Sequence, residues 1–464
     1  MSRKIARRRN FYLVISGCVM AALLALLANA QSNENGKPAC FRVRNPKNII
    51  VLISDGCGYD HVDAASLYQY GKTGTQIYEK FPVRVGMSTY SSGQGYDPKD
   101  AWKYWNYVNV QYTDSAAAAT AMSTAVKTYG GAVGVDDDLQ KLQHAFELAE
   151  QKGKSTGVVS SVEWAHATPA AYVAHNVSRN NYEDIGKEMI NDSTVDVIMG
   201  CGHPLFDRDG NPVATPNTYK YVGGEATWNA LVAGTAGGDA DGDGVADPWK
   251  LVQTRADFQA LASGATPKRV CGVPQVYQTL QQGRAGDGHA APYVVPLIAT
   301  VPTLEEMTKA ALNVLDNNGK GFCLMVEGGA IDWASHANQS GRMIEEEIDF
   351  NKTVEAVCAW VKKNGGWKET LVVVTGDHEC GYLSGPGSGL VNGKPVWKPL
   401  VNNGAGNLPG MQWNSGSHTN ALIPFYAKGN GALLLRARAR KLDPVRGRYL
   451  DNTDLAKVML SLLK

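Results

Sequence analysis

Four short apolar runs recur at wide intervals along the chain, and each gives way to polar residues or glycine. They span residues 48–53, 156–160, 321–327 and 370–375. The runs are rich in Val, Ile and Leu, and their length of about five to seven residues suits buried strands better than helices. We therefore predict four strands that are covered on both faces.

Longer segments with helical character lie between these runs, at residues 115–127, 141–152, 303–317 and 343–364. Strands that alternate with helices favour an α/β fold. We predict a large central sheet, mostly parallel, flanked by helices. Residues 200–300 lack long apolar runs and are rich in Gly, Ala and Asp, so we interpret them as an insertion over this core.

The insertion carries an acidic loop that is similar to the first part of an EF-hand. Acidic residues stand at positions 1, 3, 5 and 9 of that pattern, namely Asp239, Asp241, Asp243 and Asp247. Position 12, which normally holds a bidentate glutamate, is Lys250. We predict a structural Ca²⁺ here; the alternative is a flexible acidic loop without an ion.

The N-terminus differs from the rest of the chain. Five basic residues and no acid occupy residues 1–10, residues 11–28 are mostly apolar, and Ala28-Asn29-Ala30 offers a small-residue cleavage site. This layout predicts a signal peptide over 1–30 and a mature single domain over 31–464, periplasmic or secreted, with no stable membrane anchor. Arg8-Arg9 is also typical of twin-arginine export. A retained membrane anchor is the alternative, since the apolar run just reaches spanning length.

Composition excludes one class of partner. Hydrophobic residues make up 44% and charged residues 19% of the 464 residues, which is typical of a chain that buries a core. The formal net charge is +1. A nucleic-acid binder would show a basic excess, so we expect no nucleic-acid partner.

Carboxylates follow the predicted strands. Asp55, Glu327 and Asp377 each lie at or just past the end of an apolar run. Open α/β sheets bind ligands at the carboxyl ends of their strands. One acid in such a place means little, but three indicate a shared site.

An alanine-rich segment, Thr113–Ala121, contains the main candidate nucleophile. Asp114 and Ser115 begin a stretch that strongly favours a helix. A helix N-terminus suits a phosphate, because its free N–H groups and partial positive charge face the ligand. From these residues alone, a simple helix cap at Asp114 or Ser115 is an equal alternative.

Histidines of metal-binding type accompany the carboxylates. Asp332 and His336 are four residues apart and share one helical face. His378 follows Asp377 directly, and His418 lies in a Gly-Ser-His-Thr-Asn segment. Each pattern alone is common on protein surfaces. Together, mixed histidine and carboxylate ligands suit zinc, whereas all-oxygen sites suit magnesium.

Three motifs resemble the alkaline phosphatase family, in matching order along nearly the whole mature chain. They are the Thr113–Ala121 segment with its continuation Val126–Asp136, the segment His166–Arg179, and the scattered acids and histidines. The resemblance implies hydrolysis of small-molecule phosphate monoesters through a phosphoserine at Ser115. It implies that Arg179 clamps the substrate phosphate with its planar fork, near Asp114 and Trp333. A homodimer is compatible with it.

The resemblance also implies two zinc ions and one magnesium ion. The first zinc would be held by Asp332, His336 and His418. The second zinc would be held by Asp55, Asp377 and His378. The magnesium would be held by Asp55, Thr168 and Glu327, with His166 as a secondary candidate.

The chain departs from some family members at three positions. His166 and Trp333 stand where those members carry Asp and Lys, and Cys57 stands where Met is more usual. Sulfatases, phosphodiesterases and mutases share this kind of metal scaffold, but no sulfatase-type motif surrounds Ser115. A non-catalytic exported phosphate- or metal-binding protein is the alternative of another class.

Overall fold

A computed structural model describes residues 45–464. The predicted signal peptide at 1–30 lies outside the described residues. No helix in the described part of the chain is long and apolar enough to cross a membrane. Six cysteines fall within that part, and all are buried and unbonded to one another.

The fold is built around one large sheet, with three two-stranded ribbons beside it. The strands, in chain order, are β1 Asn48–Ser54, β2 Val83–Ser88, β3 Ser155–Glu163, β4 Val197–Cys201, β5 Lys250–Val252, β6 Val270–Gly272, β7 Phe322–Gly328, β8 Thr370–Thr375, β9 Glu379–Cys380, β10 Leu383–Ser384, β11 Gly389–Val391, β12 Lys394–Val396, β13 Gln412–Trp413, β14 His418–Thr419, β15 Ile423–Gly429, β16 Lys441–Asp443 and β17 Gly447–Asp451.

Eleven strands form the large sheet in the order β16-β17-β2-β15-β8-β1-β7-β3-β4-β6-β5. The run from β8 to β5 is parallel throughout, and β15 joins it in the antiparallel sense. This confirms the predicted fold class. Alternate residues of β1 pack into different cores, with Val51 on one face and Leu52 on the other. Both faces are therefore buried, as parallel strands require.

Helices cover the two faces of the sheet. They are α1 Tyr59–Tyr70, α2 Pro98–Lys103, α3 Ser115–Thr124, α4 Ala145–Gln151, α5 Ala167–Ala170, α6 Tyr182–Lys187, α7 Gly224–Ala233, α8 Arg255–Leu261, α9 Leu304–Leu315, α10 Ala330–His336, α11 Ser340–Lys363, α12 Ala432–Arg438 and α13 Thr453–Leu462. Core residues of α3, α4 and α13 pack on one face, and those of α1, α9 and α11 on the other.

Two helices are shorter than the sequence pattern predicts. The helix expected over 115–127 ends at Thr124, because Ala125 adopts a left-handed conformation with φ of 70°. The helix expected over 141–152 begins only at Ala145, since His144 has an extended backbone and stands before the first turn.

Residues 200–300 take part in the large sheet. Strands β5 and β6 extend its edge beyond β4, and helices α7 and α8 lie in the same region. The acidic loop at 239–247 is mostly exposed.

The aromatic segment at 91–110 forms a small separate core. Trp105 stacks on Tyr382 with ring centroids 4.6 Å apart, and Trp102 and Trp397 pack beside them. The segment thus forms a satellite hydrophobic cluster, separate from the two cores on the faces of the sheet.

Candidate active site

Three adjacent central strands bring their terminal carboxylates to one edge of the sheet. β1 lies between β7 and β8, with Ile53 level with both Glu327 and Thr375. Asp55 and Asp377 follow within two residues of their strand ends. All three carboxylates, at 55, 327 and 377, are fully buried.

Gly56 makes this convergence possible. Its φ is +72°, and a Cβ there would lie 2.8 Å from the Cα of Asp332. Its N–H also donates to Oδ1 of Asp377 at 3.1 Å. A larger residue would push the loop after β1 away from α10, so glycine is needed on two grounds.

The first group of ligand atoms joins α10 to the ribbon β9–β14. Nε2 of His336 and Nε2 of His418 lie 2.9 Å apart, and each is 3.4 Å from a carboxylate oxygen of Asp332. Their Nδ1 atoms face the carbonyl oxygens of Gly416 at 2.8 Å and Thr113 at 2.9 Å. These carbonyls orient the rings so that Nε2 points inward, as for histidines that ligate a metal.

The second group surrounds His378. Its Nε2 lies 3.2 Å from Oδ2 of Asp377 and 3.5 Å from Oδ1 of Asp55. The ring stacks on His418 with centroids 3.6 Å apart, so the first and second groups touch.

The third group lies on the β3 side of the sheet. Ligand atoms of Asp55, His166 and Glu327 lie within 4.8 Å of one another. The Thr168 hydroxyl is buried without a hydrogen-bond partner. Ser160 donates to the second oxygen of Glu327, which holds that carboxylate in place.

The buried acids lack the partners that carboxylates normally require. Both oxygens of Asp55 have no hydrogen-bond donor, and the same holds for one oxygen each of Glu327, Asp332 and Asp377. Burial raises the pKa of Asp55 well above its usual range, with Asp377 adding to the effect, and raises that of Glu327 to about 7. Buried charges without partners are costly, and cations relieve the cost. The donor set therefore fits metal ions.

Ser115 begins α3 beside these groups. It is 1% exposed, and its Oγ lies 3.2 Å from Nε2 of His378. Asp114, the preceding residue, accepts a hydrogen bond from the N–H of Ala117 at 3.1 Å and so caps the helix. The capping role therefore falls to Asp114, and the hydroxyl of Ser115 is left facing the acids and histidines.

Arg179 is held on the other side of Asp114. One guanidinium nitrogen lies 2.9 Å from Oδ2 of Asp114, and the other lies 3.0 Å from Nε2 of His166. The ring of Trp333 packs edge-to-face against His166, with centroids 5.8 Å apart. This places the arginine, Asp114 and Trp333 around one space next to the third group.

One residue in this site was not predicted from the sequence. Cys380 is buried, and its sulfur lies within 4.8 Å of the ligand atoms of Asp332, His336 and His418. It reaches them because β9 and β14 pair with Cys380 level with His418. One indication was present in the sequence, since Cys380 stands two residues after the candidate ligand His378.

The acidic loop at 239–247 has a different character. Ligand oxygens of Asp239, Asp241 and Asp247 come within 4.8 Å of one another, and Asp243 is not among them. The ammonium of Lys268 lies 2.6 Å from both Asp241 and Asp247. A lysine thus already supplies positive charge where the Ca²⁺ was predicted.

Comparison with known proteins gives a consistent set of relatives. The family model described as alkaline phosphatase matches residues 46–408. Alkaline phosphatase 3 of Bacillus subtilis is 33% identical over 357 residues, covering 75% of this chain and 64% of that protein. Alkaline phosphatase 4 of the same species is 29% identical over 477 residues, covering 90% and 89%. A mutant of the alkaline phosphatase from the Antarctic bacterium TAB5, solved with Mg bound in its M3 site, is 26% identical, with a TM-score of 0.61 and coverage of 91% and 99%.

Proposed function

The chain belongs to the alkaline phosphatase family, and from that premise we propose that it hydrolyses phosphate monoesters to an alcohol and inorganic phosphate. The observation that carries the proposal is the juxtaposition of Ser115 with histidines and with buried acids, several of whose oxygens have no hydrogen-bond donor. A serine hydroxyl is a weak nucleophile at neutral pH and needs activation. The residues around Ser115 are of the kind that bind activating cations.

Three cations are proposed for the three groups of ligands. Asp332, His336 and His418 suit one zinc, and Asp55, Asp377 and His378 suit a second, because both sets mix imidazole with carboxylate. Asp55, Thr168 and Glu327 suit magnesium, with His166 within reach. Two such ions stabilise the attacking and leaving oxygens of an in-line displacement and lower the pKa of the hydroxyl.

The residues of the chain then have distinct tasks. The two guanidinium nitrogens of Arg179 bind non-bridging phosphate oxygens, and Asp114 holds the guanidinium in place. Ser115 Oγ loses its proton to solvent and forms a bond to phosphorus while the bond to the alcohol oxygen breaks; the alcohol oxygen takes up a proton from solvent, and a phosphoserine remains. Water then cleaves the new O–P bond, which releases phosphate and restores the hydroxyl. Trp333 limits the space beside Arg179 and His166.

Export is part of the proposal. The predicted signal peptide at 1–30 would deliver the mature domain to the periplasm or the medium. Small phosphate monoesters are the proposed substrates, and a homodimer is the proposed assembly.

The test is replacement of the nucleophile. Ser115→Ala is expected to lower turnover of an aryl phosphate by about 10³-fold or more, since nucleophile losses in other hydrolases reach that scale. Ser123→Ala, on the same helix but bonded only to backbone carbonyls, is the matched control. Unchanged hydrolysis in Ser115→Ala would refute the mechanism. Faster turnover of a diester than of a monoester would refute the substrate class.

A further inference from the structure

A second cluster of metal-ligating side chains lies outside the active site. His144, Glu147 and His175 place a ring nitrogen or a carboxylate oxygen within 4.8 Å of one another. We propose that this cluster binds a transition-metal dication of the Zn²⁺ type, which fastens the segment that leads to Arg179.

His144 supplies a ring that stacks on the ring of His175, with centroids 4.3 Å apart. His144 is fully buried, and neither of its ring nitrogens has a hydrogen-bond partner. Nδ1 lies 3.6 Å from Oε2 of Glu147, which also accepts the backbone N–H of His144 at 2.8 Å. A neutral imidazole keeps a lone pair on one nitrogen for a metal.

His175 faces the same space as His144, and one of its ring nitrogens already has a carboxylate partner, Glu188. Nδ1 lies 3.0 Å from the carboxylate of Glu188, which orients the ring as carboxylates do for metal-binding histidines. Nε2 lies 2.9 Å from the carbonyl oxygen of Leu142 and 3.9 Å from Oε1 of Glu147. When Nδ1 of His175 carries the proton, three atoms with free electron pairs face one another: Nε2 of His175, the carbonyl oxygen of Leu142 and Oε1 of Glu147. A cation bound among them would accept all three electron pairs.

A proton and a metal ion compete for the lone pair of an imidazole nitrogen, so affinity for the metal should fall as the pH is lowered.

Ligand chemistry and access select the class of ion. Two imidazoles and one carboxylate suit Zn²⁺ and its neighbours, whereas Mg²⁺ and Ca²⁺ prefer oxygen. Glu147 keeps 37% of its side chain exposed. It lines a surface cavity of about 1060 Å³ together with His175 and Glu188, which gives an ion a path from solvent.

The cluster is connected to the proposed substrate site through two paired segments. Asn176 exchanges backbone hydrogen bonds with Val133, and the N–H of Arg179 donates to the carbonyl of Gly131 at 2.8 Å. The N–H of Gly131 in turn donates to Asp114 at 3.0 Å. A metal that joins His175 to His144 and Glu147 therefore restrains the segment that carries Arg179.

Metal content of the purified full chain tests the proposal. Wild type, Glu147→Gln and His175→Gln are dialysed against the same Zn²⁺ buffer at neutral pH, and zinc per chain is measured by plasma mass spectrometry. Glu183→Gln, which replaces an exposed helical glutamate paired with Lys187, is the control. Wild type and control should each hold one zinc more than both cluster variants, and that difference should vanish at mildly acidic pH.

Equal zinc content in all four proteins would overturn the proposal. A protonated His175 would then be the positive charge between the carboxylates of Glu147 and Glu188. Loss of the extra zinc should also raise KM for an aryl phosphate several-fold with little change in kcat. The KM readout rests on the proposed function, but zinc content does not. A catalytically inactive wild type with one extra zinc would therefore refute the proposed function alone.

Discussion

Two acid-rich regions of this protein, the central site and the loop at 239–247, are similar in composition but differ in how their carboxylates are surrounded. Asp55 in the central site is fully buried, and neither of its oxygens meets a hydrogen-bond donor. In the loop at 239–247, Asp239 accepts backbone N–H groups of the loop itself, and Lys268 forms ion pairs with Asp241 and Asp247. The number of acids is similar in the two places, but only in the central site are carboxylate oxygens removed from water without hydrogen-bond donors.

The energetic difference follows from solvent. A carboxylate removed from water loses several kcal/mol of hydration unless a cation or donors replace it. An exposed carboxylate keeps its water, and its ion pairs contribute about 0–1 kcal/mol. Burial without partners is therefore a better indicator of a required metal than acidic spacing.

The largest expected effect comes from removing the central cations. Chelation should lower the midpoint temperature of wild type markedly, because the clustered acids then repel one another. Asp55→Asn should lose much less on chelation, and the chelated variant should be more stable than chelated wild type by about 1–3 kcal/mol. Differential scanning calorimetry of both proteins with and without chelator measures this.

Asp241→Asn provides the counterpart in the loop. Its response to chelation should match that of wild type, since Asp241 is exposed and already paired with Lys268. If Asp55→Asn and Asp241→Asn respond alike, the contrast between the two regions is wrong.

An intermediate effect is expected at Glu150, a largely buried acid that does have donors. Hydroxyls of Thr156 and Thr194 bond its two oxygens, and burial raises its pKa to about 7. The folded state thus keeps this proton to higher pH than the unfolded chain, whose pKa is near 4.5. Its contribution to stability is complete below about pH 4.5 and is lost as the pH rises through about 7.

Glu150→Gln should remove that part of the pH dependence. The difference in unfolding free energy between variant and wild type should change by about 2–3 kcal/mol between pH 4.5 and pH 7.5, because one pKa unit corresponds to about 1.4 kcal/mol. Thermal unfolding of both proteins in the two buffers measures this change. A constant difference across this range would show that Glu150 ionises normally in the folded state.

The smallest effect is expected in the acidic loop. Contact with Asp241 raises the pKa of Lys268, with Asp247 adding to it, so the lysine stays charged and would compete with an added Ca²⁺ ion for these carboxylates. Lys268→Gln should therefore raise Ca²⁺ affinity about tenfold, because the variant removes a positive charge from beside the carboxylates that would bind the ion. Isothermal titration should show this gain over wild type and over Lys394→Gln, a lysine in the separate ribbon β11–β12. Identical affinities would exclude Lys268 as the competitor.

The parallel centre of the sheet was predictable because its strands are uninterrupted apolar runs. β1 and β8 were expected within one residue of their observed limits. Strands β2 and β15 were not predicted, because polar residues, glycine or proline interrupt their apolar residues, as in Val83–Ser88 and Ile423–Gly429. Helix α1 was also missed, because tyrosines and aspartates obscure its apolar face.

The proposed site was predictable in part, because its residues stand at strand ends or in recognisable motifs. Asp55, Glu327 and Asp377 were named from their place after apolar runs, and most histidines through the family resemblance. Cys380 and the cluster around His144 were not predicted. Cys380 stands two residues after His378, but only the pairing of β9 with β14 brings it beside His418. His144 and Glu147 are three residues apart, but His175 joins them only in the folded chain.

The adjacency of β7, β1 and β8 has a consequence for how such a protein can change. Neighbouring strands lie about 4.8 Å apart through backbone hydrogen bonds alone, and paired catalytic ions require about 4 Å. Glu327 thus holds its place through strand pairing, whereas Asp55 and Asp377 follow the last paired residues and depend on short connections such as the one through Gly56. Substitutions in these connections should therefore disturb the three carboxylates far more than equal substitutions in the exposed loop at 239–247.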